Sequence, residues 1–472
     1  MSWNTSSPDS AARPWSSAST MLPGRGDAPA TGHQRPRPPR PRRTPRRLSR
    51  RAAFGVLTVA TVVLMATASA PSPIYPLYRE RWDFSVTMVT VVFAVYVAGL
   101  LGALLTLGPL SDRLGRRPVL LAALLLAAAS TAVFRTAGGV PSLVVARAVQ
   151  GVATGTAVPG LAAGLVDFSP ARRPHAGTTV TAVGTSVGLA AGAAVVGLLV
   201  QSVAHPDTYV FSVLTCVFLL LAVAVRHIPE TVGPPADGPA RLRPRVSVPP
   251  GSRHRFLAAV PALVAGWSVT GLFLALTPSV VAGVLHVTWG AAGGLDIAAL
   301  FLAGGLGGIW SARHTVRRAT LLGAAALTLG SAGLAVAIPL PSPVAYACGA
   351  VVAGSGVGLT YNGSLRAIGE VTTARTRSEV FCAVYVVSYA ALSLPALGAG
   401  MVAPVWGLRT TGFLYVAFVG SLSLLALVHA ARSRTGIPAG RAPIRRPRDA
   451  DAPTACAHRS LTSGDGSPPD KR

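Results

Sequence analysis

The chain has 472 residues, of which 51% are hydrophobic and only 12% charged, and its mean hydropathy is +0.51. That is far too apolar for a soluble protein of this length, so most of the chain must face lipid or other helices. The formal net charge of +26 suits nucleic acid or a membrane protein, and the placement of the arginines decides between them.

Residues 1–52 mix Ser, Pro, Gly and Arg with almost no apolar content. Such a segment cannot fold alone and is expected to be a disordered cytoplasmic leader, with Met21 as an alternative start. A secretory signal is the other reading, but the first apolar run is a full span followed by Pro71-Ser72-Pro73 without a small-residue cleavage site. Apolar runs of roughly 20 residues, the length that crosses a hydrocarbon core of ~30 Å, then predict spans near 54–76, 84–107, 118–137, 141–166, 176–203 and 207–225. Six more are expected near 256–285, 290–311, 317–339, 342–365, 379–403 and 409–431. The expectation is an all-α integral membrane protein of twelve helices in two halves, 53–228 and 256–431, joined by a Pro-, Gly- and Arg-rich cytoplasmic linker over 229–255 and followed by a disordered cytoplasmic tail over 432–472.

With the N-terminus in the cytoplasm, the inner side receives the arginines between 35 and 51, Arg113, Arg116, Arg117, Arg172, Arg173, those between 241 and 255, Arg313, Arg317, Arg318, Arg366, Arg375, Arg377 and the tail. The outer side receives Arg79, Arg81, Arg135 and Arg409. This asymmetry follows the positive-inside rule and predicts both termini in the cytoplasm; the charge orients the chain in a bilayer, and nucleic acid is not an expected partner. Cys216, Cys348, Cys382 and Cys456 form no C-x-x-C pair and have no His at ligand spacing, so neither disulfide nor metal is expected. No P-loop glycine pattern occurs. No cofactor is expected, and the energy for any transport must come from a gradient.

Between the second and third spans stands Gly108-Pro109-Leu110-Ser111-Asp112-Arg113-Leu114-Gly115-Arg116-Arg117-Pro118, a short charged hairpin with glycines for close helix approach. It resembles the loop at this position in the major facilitator superfamily. A fainter echo without the acid, Gly308-Ile309-Trp310-Ser311-Ala312-Arg313, follows the eighth span. The resemblance, covering about residues 53–431, implies the major facilitator fold with substrate between two parallel halves. Arg147-Ala148-Val149-Gln150-Gly151 resembles the family's R-x-x-Q-G motif, which implies proton coupling through Arg147 and Gln150. Burying such an arginine costs about 2.5–3.5 kcal/mol, so a functional role is weighed against a structural hydrogen-bond anchor. Gly184-Thr185-Ser186-Val187-Gly188-Leu189-Ala190-Ala191-Gly192 resembles the antiporter motif of the fifth span, except that Leu189 stands for its proline and Ala193 for its last glycine. Gly184, Gly188 and Gly192 read equally as a small-xxx-small packing face. Ile228-Pro229-Glu230-Thr231 resembles the family's exit from the sixth span. The segment from Pro73 to Tyr78, followed by Phe93-Ala94-Val95-Tyr96, resembles the first loop and second span of bacterial drug:proton antiporters.

The hairpin has a physical role to offer. Asp112 at a cytoplasmic helix end can meet the backbone amides that begin the eleventh span near Glu379 to Phe381, and Arg113 or Arg116 can pair with Asp167. Gly108, Asp112, Arg113, Gly115, Arg116, Arg117 and Asp167 are the expected conformational latch; the alternative is a solvated turn that only sets topology. Asp296 sits a turn or two inside the eighth span in Gly293-Gly294-Leu295-Asp296-Ile297. It either exchanges the coupling proton or, if the span starts later, caps the helix. Tyr96, Asn362, Tyr385 and Tyr389 are candidates to line a cavity for aromatic or amphipathic solutes, and each is otherwise a packing residue. The function expected is proton-coupled efflux of small solutes by alternating access, by a monomer in a bacterial inner membrane. Proton-coupled transport of a metabolite or sugar, including uptake, is the runner-up, and a non-transporting membrane receptor is the reading from another class. No catalytic constellation recurs, so an enzyme is not expected.

Overall fold

Helices account for all of the regular structure in the computed structural model, which describes residues 47–107, 114–231, 247–372 and 377–432. The leader up to residue 46, Gly108, Asp112, Arg113, most of the expected linker and the tail from residue 433 lie outside the described residues. Lipid offers no hydrogen bonds to a backbone, so each crossing must satisfy its own amides, and helices are the solution available to these long apolar runs.

The first crossing is bipartite. Helix α1, Arg50–Ser69, is capped by Ser49, whose hydroxyl accepts from the Ala52 amide at 3.2 Å. It ends where Pro71 and Pro73 remove two amide donors in succession. A 3₁₀ turn, Ser72–Ile74, leads into α2, Tyr75–Trp82. Then come α3 (Val86–Leu107), α4 (Arg116–Arg135), α5 (Val140–Asp167), α6 (Ala176–Ser202) and α7 (Pro206–Arg226).

The second half repeats the broken start: α8, Pro250–Ala275, stops at Leu276, and α9, Thr277–Gly283, follows with Pro278 in its first turn. The seventh span thus begins at Pro250 rather than residue 256, because Pro at the helix start needs no amide partner and the helix carries Arg253 and His254 outward as exposed residues. It is followed by α10 (Ala292–Ser311), α11 (Val316–Ala337) and α12 (Pro343–Val371). The last helix, α13 (Arg377–Arg432), has 56 residues, or ~84 Å at 1.5 Å per residue, more than twice a bilayer core. Gly407, at φ 78° and ψ 152°, breaks it, so 377–406 and 408–432 make two crossings. The eleventh and twelfth spans are therefore separated by one left-handed residue that only glycine adopts readily, not by the loop over 404–408 that hydropathy suggests.

Among the described residues eleven helices are long and apolar enough to span a membrane, and the break in the last gives twelve crossings there, with both described ends on one side. In the first half α3 packs closely on α5: a methyl at Gly151 would overlap the Tyr96 carbonyl, and one at Gly155 the Leu100 carbonyl. The halves meet along α6 with α10 and α3 with α13.

Candidate functional site

The prolines that end α1 create the first site. In a continuing helix the amide of residue 71 would donate to the carbonyl of Thr67, and Pro71 has none. Gln150 of α5 fills the vacancy, its Nε2 donating to the Thr67 carbonyl at 2.8 Å. Beside it Arg147, fully buried, donates from Nη1 to the Ala68 carbonyl at 3.2 Å and to Gln150 Oε1 at 2.8 Å, and from Nε to the Tyr75 hydroxyl at 2.8 Å. Its guanidinium lies over the rings of Tyr75, Tyr96 and Phe134, at 5.5, 5.1 and 5.8 Å from their centroids. Cation–π contacts of about 0.5–2 kcal/mol each, bonds from a charged donor of about 1.5–3 kcal/mol each, and the negative end of the α1 dipole together outweigh the insertion penalty. No carboxylate is hydrogen-bonded or ion-paired to this cation among the described residues, and Nη2 has no partner.

The second site lies on the side of the termini. Asp167 ends α5, where a negative charge opposes the helix dipole; Arg116 forms an ion pair with it, and Arg50 donates to its carbonyl and covers Phe168 at 5.5 Å. Of the two arginines expected as its partner, Arg116 is the one seen, and Arg113 lies outside the described residues. Glu230, just beyond α7, accepts from the Arg116 and Arg117 amides at 3.0 Å each, so its carboxylate sits on the N-terminus of α4. Gly115 permits this doubly: its φ is +94°, and a Cβ there would stand 2.9 Å from Glu230 Oε2. An open cavity is lined by Arg50, Arg116, Asp167 and Glu230. The sequence pattern singled out the exit at Pro229-Glu230 without revealing that it closes back on the hairpin helix.

In the third cluster Trp267 of α8 meets Tyr361 of α12 edge-on at 5.6 Å and Tyr389 of α13 at 5.3 Å, and Tyr385 stacks on Tyr389 at 6.4 Å. Two of the expected cavity tyrosines are therefore together, with Trp267 and Tyr361 as additions. Tyr96 instead belongs to the Arg147 cage, with the Tyr389 hydroxyl as its electrostatic neighbour across the halves. Asn362 turns to its own helix and to α10: its Nδ2 donates to the Gly358 carbonyl at 3.0 Å and packs on Gly308.

Asp296 does not cap a helix. Helix α10 begins at Ala292, which puts Asp296 in its second turn, beyond reach of a capping role. It has Tyr346 of α12 as its electrostatic neighbour. It shares the helix face of Leu300, Ala303 and Gly307, which packs on α12, whereas Gly294 and Gly305 face α6. Arg147 and Asp296 thus share no partner.

The small-residue face divides. A methyl at Gly188 would collide with the Val62 carbonyl and stand 2.7 Å from Met65 Cβ, and one at Gly192 would overlap the Ala66 carbonyl; at Gly184 it would touch Thr61 and Val62 at an ordinary 3.6 Å. Helix α6 approaches α1 closely at the first two positions only. Toward the end away from the termini the halves are bridged: Ser72 Oγ donates to the Leu274 carbonyl at 2.7 Å, Thr87 Oγ1 to the Gly400 carbonyl at 2.6 Å, and the Gly290 amide to Gln201 Oε1 at 2.8 Å.

A crystal structure of a bacterial homolog to the human lysosomal transporter Spinster, inward-facing and unoccupied, matches with a TM-score of 0.65 at 14% identity, over 81% of this chain and 97% of that one. The same homolog, inward-facing and occupied, matches with a TM-score of 0.64 at 13% identity and the same coverage. At such identities the likeness is one of fold. Comparison with curated protein sequences gives no match. The family model described as Major Facilitator Superfamily matches residues 57–394, most of the described helices, and on that match the chain belongs to the major facilitator superfamily and is a membrane transporter rather than an enzyme.

Proposed function

We propose that this transporter exports small amphipathic or drug-like solutes in exchange for protons, by alternating access, as a monomer in a bacterial inner membrane with both termini in the cytoplasm. The arginine asymmetry supports the orientation. The bridges Ser72–Leu274, Thr87–Gly400 and Gln201–Gly290 then belong to the outer side, which supports a state closed outward and open to the cytoplasm. Two halves that close through a few carbonyl and hydroxyl contacts are suited to parting and re-closing.

The observation that carries proton coupling is Asp296: a half-buried carboxylate within a span, with no hydrogen-bond or ion-pair partner among the described residues. A group so placed is free to take up and release a proton without breaking another contact. In proteoliposomes with an imposed pH gradient, the wild type is expected to drive solute against its gradient. Asp296→Asn is expected to lose driven transport and to keep exchange of solute down its own gradient. Full driven transport by Asp296→Asn would overturn the assignment, and absence of any flux in the wild type would favour a receptor.

One observation favours uptake of a metabolite or sugar as the second reading. Helix α6 runs unbroken through Leu189, where the antiporter motif has its helix-bending proline. The direction of pH-driven flux separates the two.

A further inference from the structure

Tryptophans in membrane proteins gather at the water interfaces, where the ring is buried and the N–H stays wet. Four of those in the described residues obey this: Trp82 closes α2, Trp289 precedes α10, Trp310 lies at its end, and Trp406 adjoins the Gly407 break. Trp267 breaks the pattern, standing far from both ends of the Pro250–Ala275 helix and half-buried. Its neighbours Tyr361, Tyr385 and Tyr389 are also half-buried, and the four rings come from three helices of the second half.

What sets these four apart is their polar atoms. Three buried tyrosines elsewhere have partners: Tyr75 accepts from Arg147 at 2.8 Å, Tyr346 pairs with Thr277 at 2.9 Å, and Tyr415 donates to the Ser268 carbonyl at 2.8 Å, whereas the Tyr78 hydroxyl is sealed inside the protein without one. The Trp267 indole N–H and the hydroxyls of Tyr361, Tyr385 and Tyr389 have none among the described residues. Nor are they among the partnerless polar atoms sealed inside the protein. Four donors, open and unmatched, therefore belong to rings gathered in one place within the bundle, where a lost hydrogen bond is expensive.

Charge narrows the guest. The electrostatic neighbours of the three hydroxyls are Tyr96, one another and Cys382, all uncharged at neutral pH. Among the described residues no carboxylate is hydrogen-bonded to these four side chains, and the acid beside Cys382 on α13, Glu379, is engaged by the Ser247 hydroxyl. The nearby cation, Arg147, is fully buried behind the Tyr96 ring at 5.1 Å and closed to an anion. We propose that Trp267, Tyr361, Tyr385 and Tyr389 form the solute-binding site of this transporter, and that the site takes an uncharged, flat aromatic solute bearing hydrogen-bond acceptors, stacked on the rings and held by their N–H and O–H donors.

The proposal rests on the chain being a carrier of small solutes, and it is tested by binding alone, so that it fails separately from proton coupling. The full-length protein in lipid nanodiscs is dialysed against three probes of similar size: 7-methoxycoumarin, which is neutral with a carbonyl acceptor, N-methylquinolinium, a cation, and coumarin-3-carboxylate, an anion. The neutral probe is expected to bind at least about tenfold more tightly than either charged one, given the desolvation a charge must meet without a partner. Trp267→Leu is expected to weaken it by about tenfold. Tyr361→Phe and Tyr389→Phe, which keep the rings and the fold, should weaken it by about threefold each through loss of a donor, while Trp310→Leu at the helix end leaves it unchanged. Equal or tighter binding of either charged probe, no binding of the neutral one, or unchanged affinity in the two phenylalanine variants would overturn the assignment and leave pH-driven flux to be judged on its own.

Discussion

The joint between α1 and α5 rests on a missing hydrogen: Pro71 cannot donate to the Thr67 carbonyl, and Gln150 does so instead at 2.8 Å. Gln150→Leu removes that donor and also the acceptor of Arg147 Nη1. Stranding a buried carbonyl and weakening a charged donor would each cost about 1–3 kcal/mol in a soluble core. Interhelical hydrogen bonds in membranes average only about 0.6 kcal/mol, because the disrupted state finds other partners. Here the prolines withhold the nearest alternative, so a loss of about 1–3 kcal/mol is expected. Pro71→Ala tests the cause. Ala70 (φ −52°, ψ −40°) and Pro71 (φ −70°, ψ −20°) already have right-handed helical dihedrals, so an amide at 71 points back along the helix at Thr67. Alone the substitution changes little, since the carbonyl is already satisfied. Combined with Gln150→Leu it should restore about 1 kcal/mol. Reversible unfolding of the four proteins in mixed micelles, read as a double-mutant cycle, gives that coupling directly. Additivity within about 0.3 kcal/mol would refute the account of why Gln150 stands there.

Gly188→Ala and Gly192→Ala should lower both stability and expression by forcing α6 away from the α1 carbonyls, while Gly184→Ala, with open contact at 3.6 Å, should behave as wild type; thermal unfolding in detergent ranks the three. Glu230→Ala removes the acceptor of two amides at the start of α4 and should cost about 0.5–2 kcal/mol, measured the same way, with Glu230→Gln intermediate because it keeps one acceptor oxygen. Arg147→Ala should abolish pH-driven flux in proteoliposomes, and Arg147→Lys should restore it only in part, since an ammonium cannot serve Tyr75, Ala68 and Gln150 in one plane; full flux in the alanine variant would reduce Arg147 to a packing role.

The crossings were legible in the sequence because a bilayer permits one solution per apolar run, and length with hydropathy records it. What hydropathy does not record is where a helix continues past the lipid or bends without a loop. The seventh span's start at Pro250 and the single-residue break at Gly407 escaped for that reason. The R-x-x-Q-G pattern puts Arg147 and Gln150 three residues apart on one helix, where they are neighbours, and they are hydrogen-bonded at 2.8 Å. Of the pair's partners on α1, the Thr67 carbonyl that Gln150 serves is the one Pro71 leaves orphaned, and that half was open to the sequence through proline chemistry; the Ala68 carbonyl that Arg147 serves is orphaned by neither proline and was not.

The direction a residue faces is a different kind of fact. Asp296 sits where periodicity puts it along α10, yet its azimuth toward Tyr346 and α12 rather than toward α6 is set by which glycines let which helix approach. Gly294 admits the Ala193 carbonyl on one side, and Gly354 of α12 admits the Leu300 carbonyl on the other. A small residue marks a close contact without naming the partner, so no pattern within one helix distinguishes the two faces. Tryptophan is more informative, because its position along a span has a strong physical expectation to violate. Trp82, Trp289, Trp310 and Trp406 stand at helix ends and Trp267 does not, and this contrast, available before any coordinates, locates the ring cluster that tyrosine positions alone left ambiguous between packing and recognition.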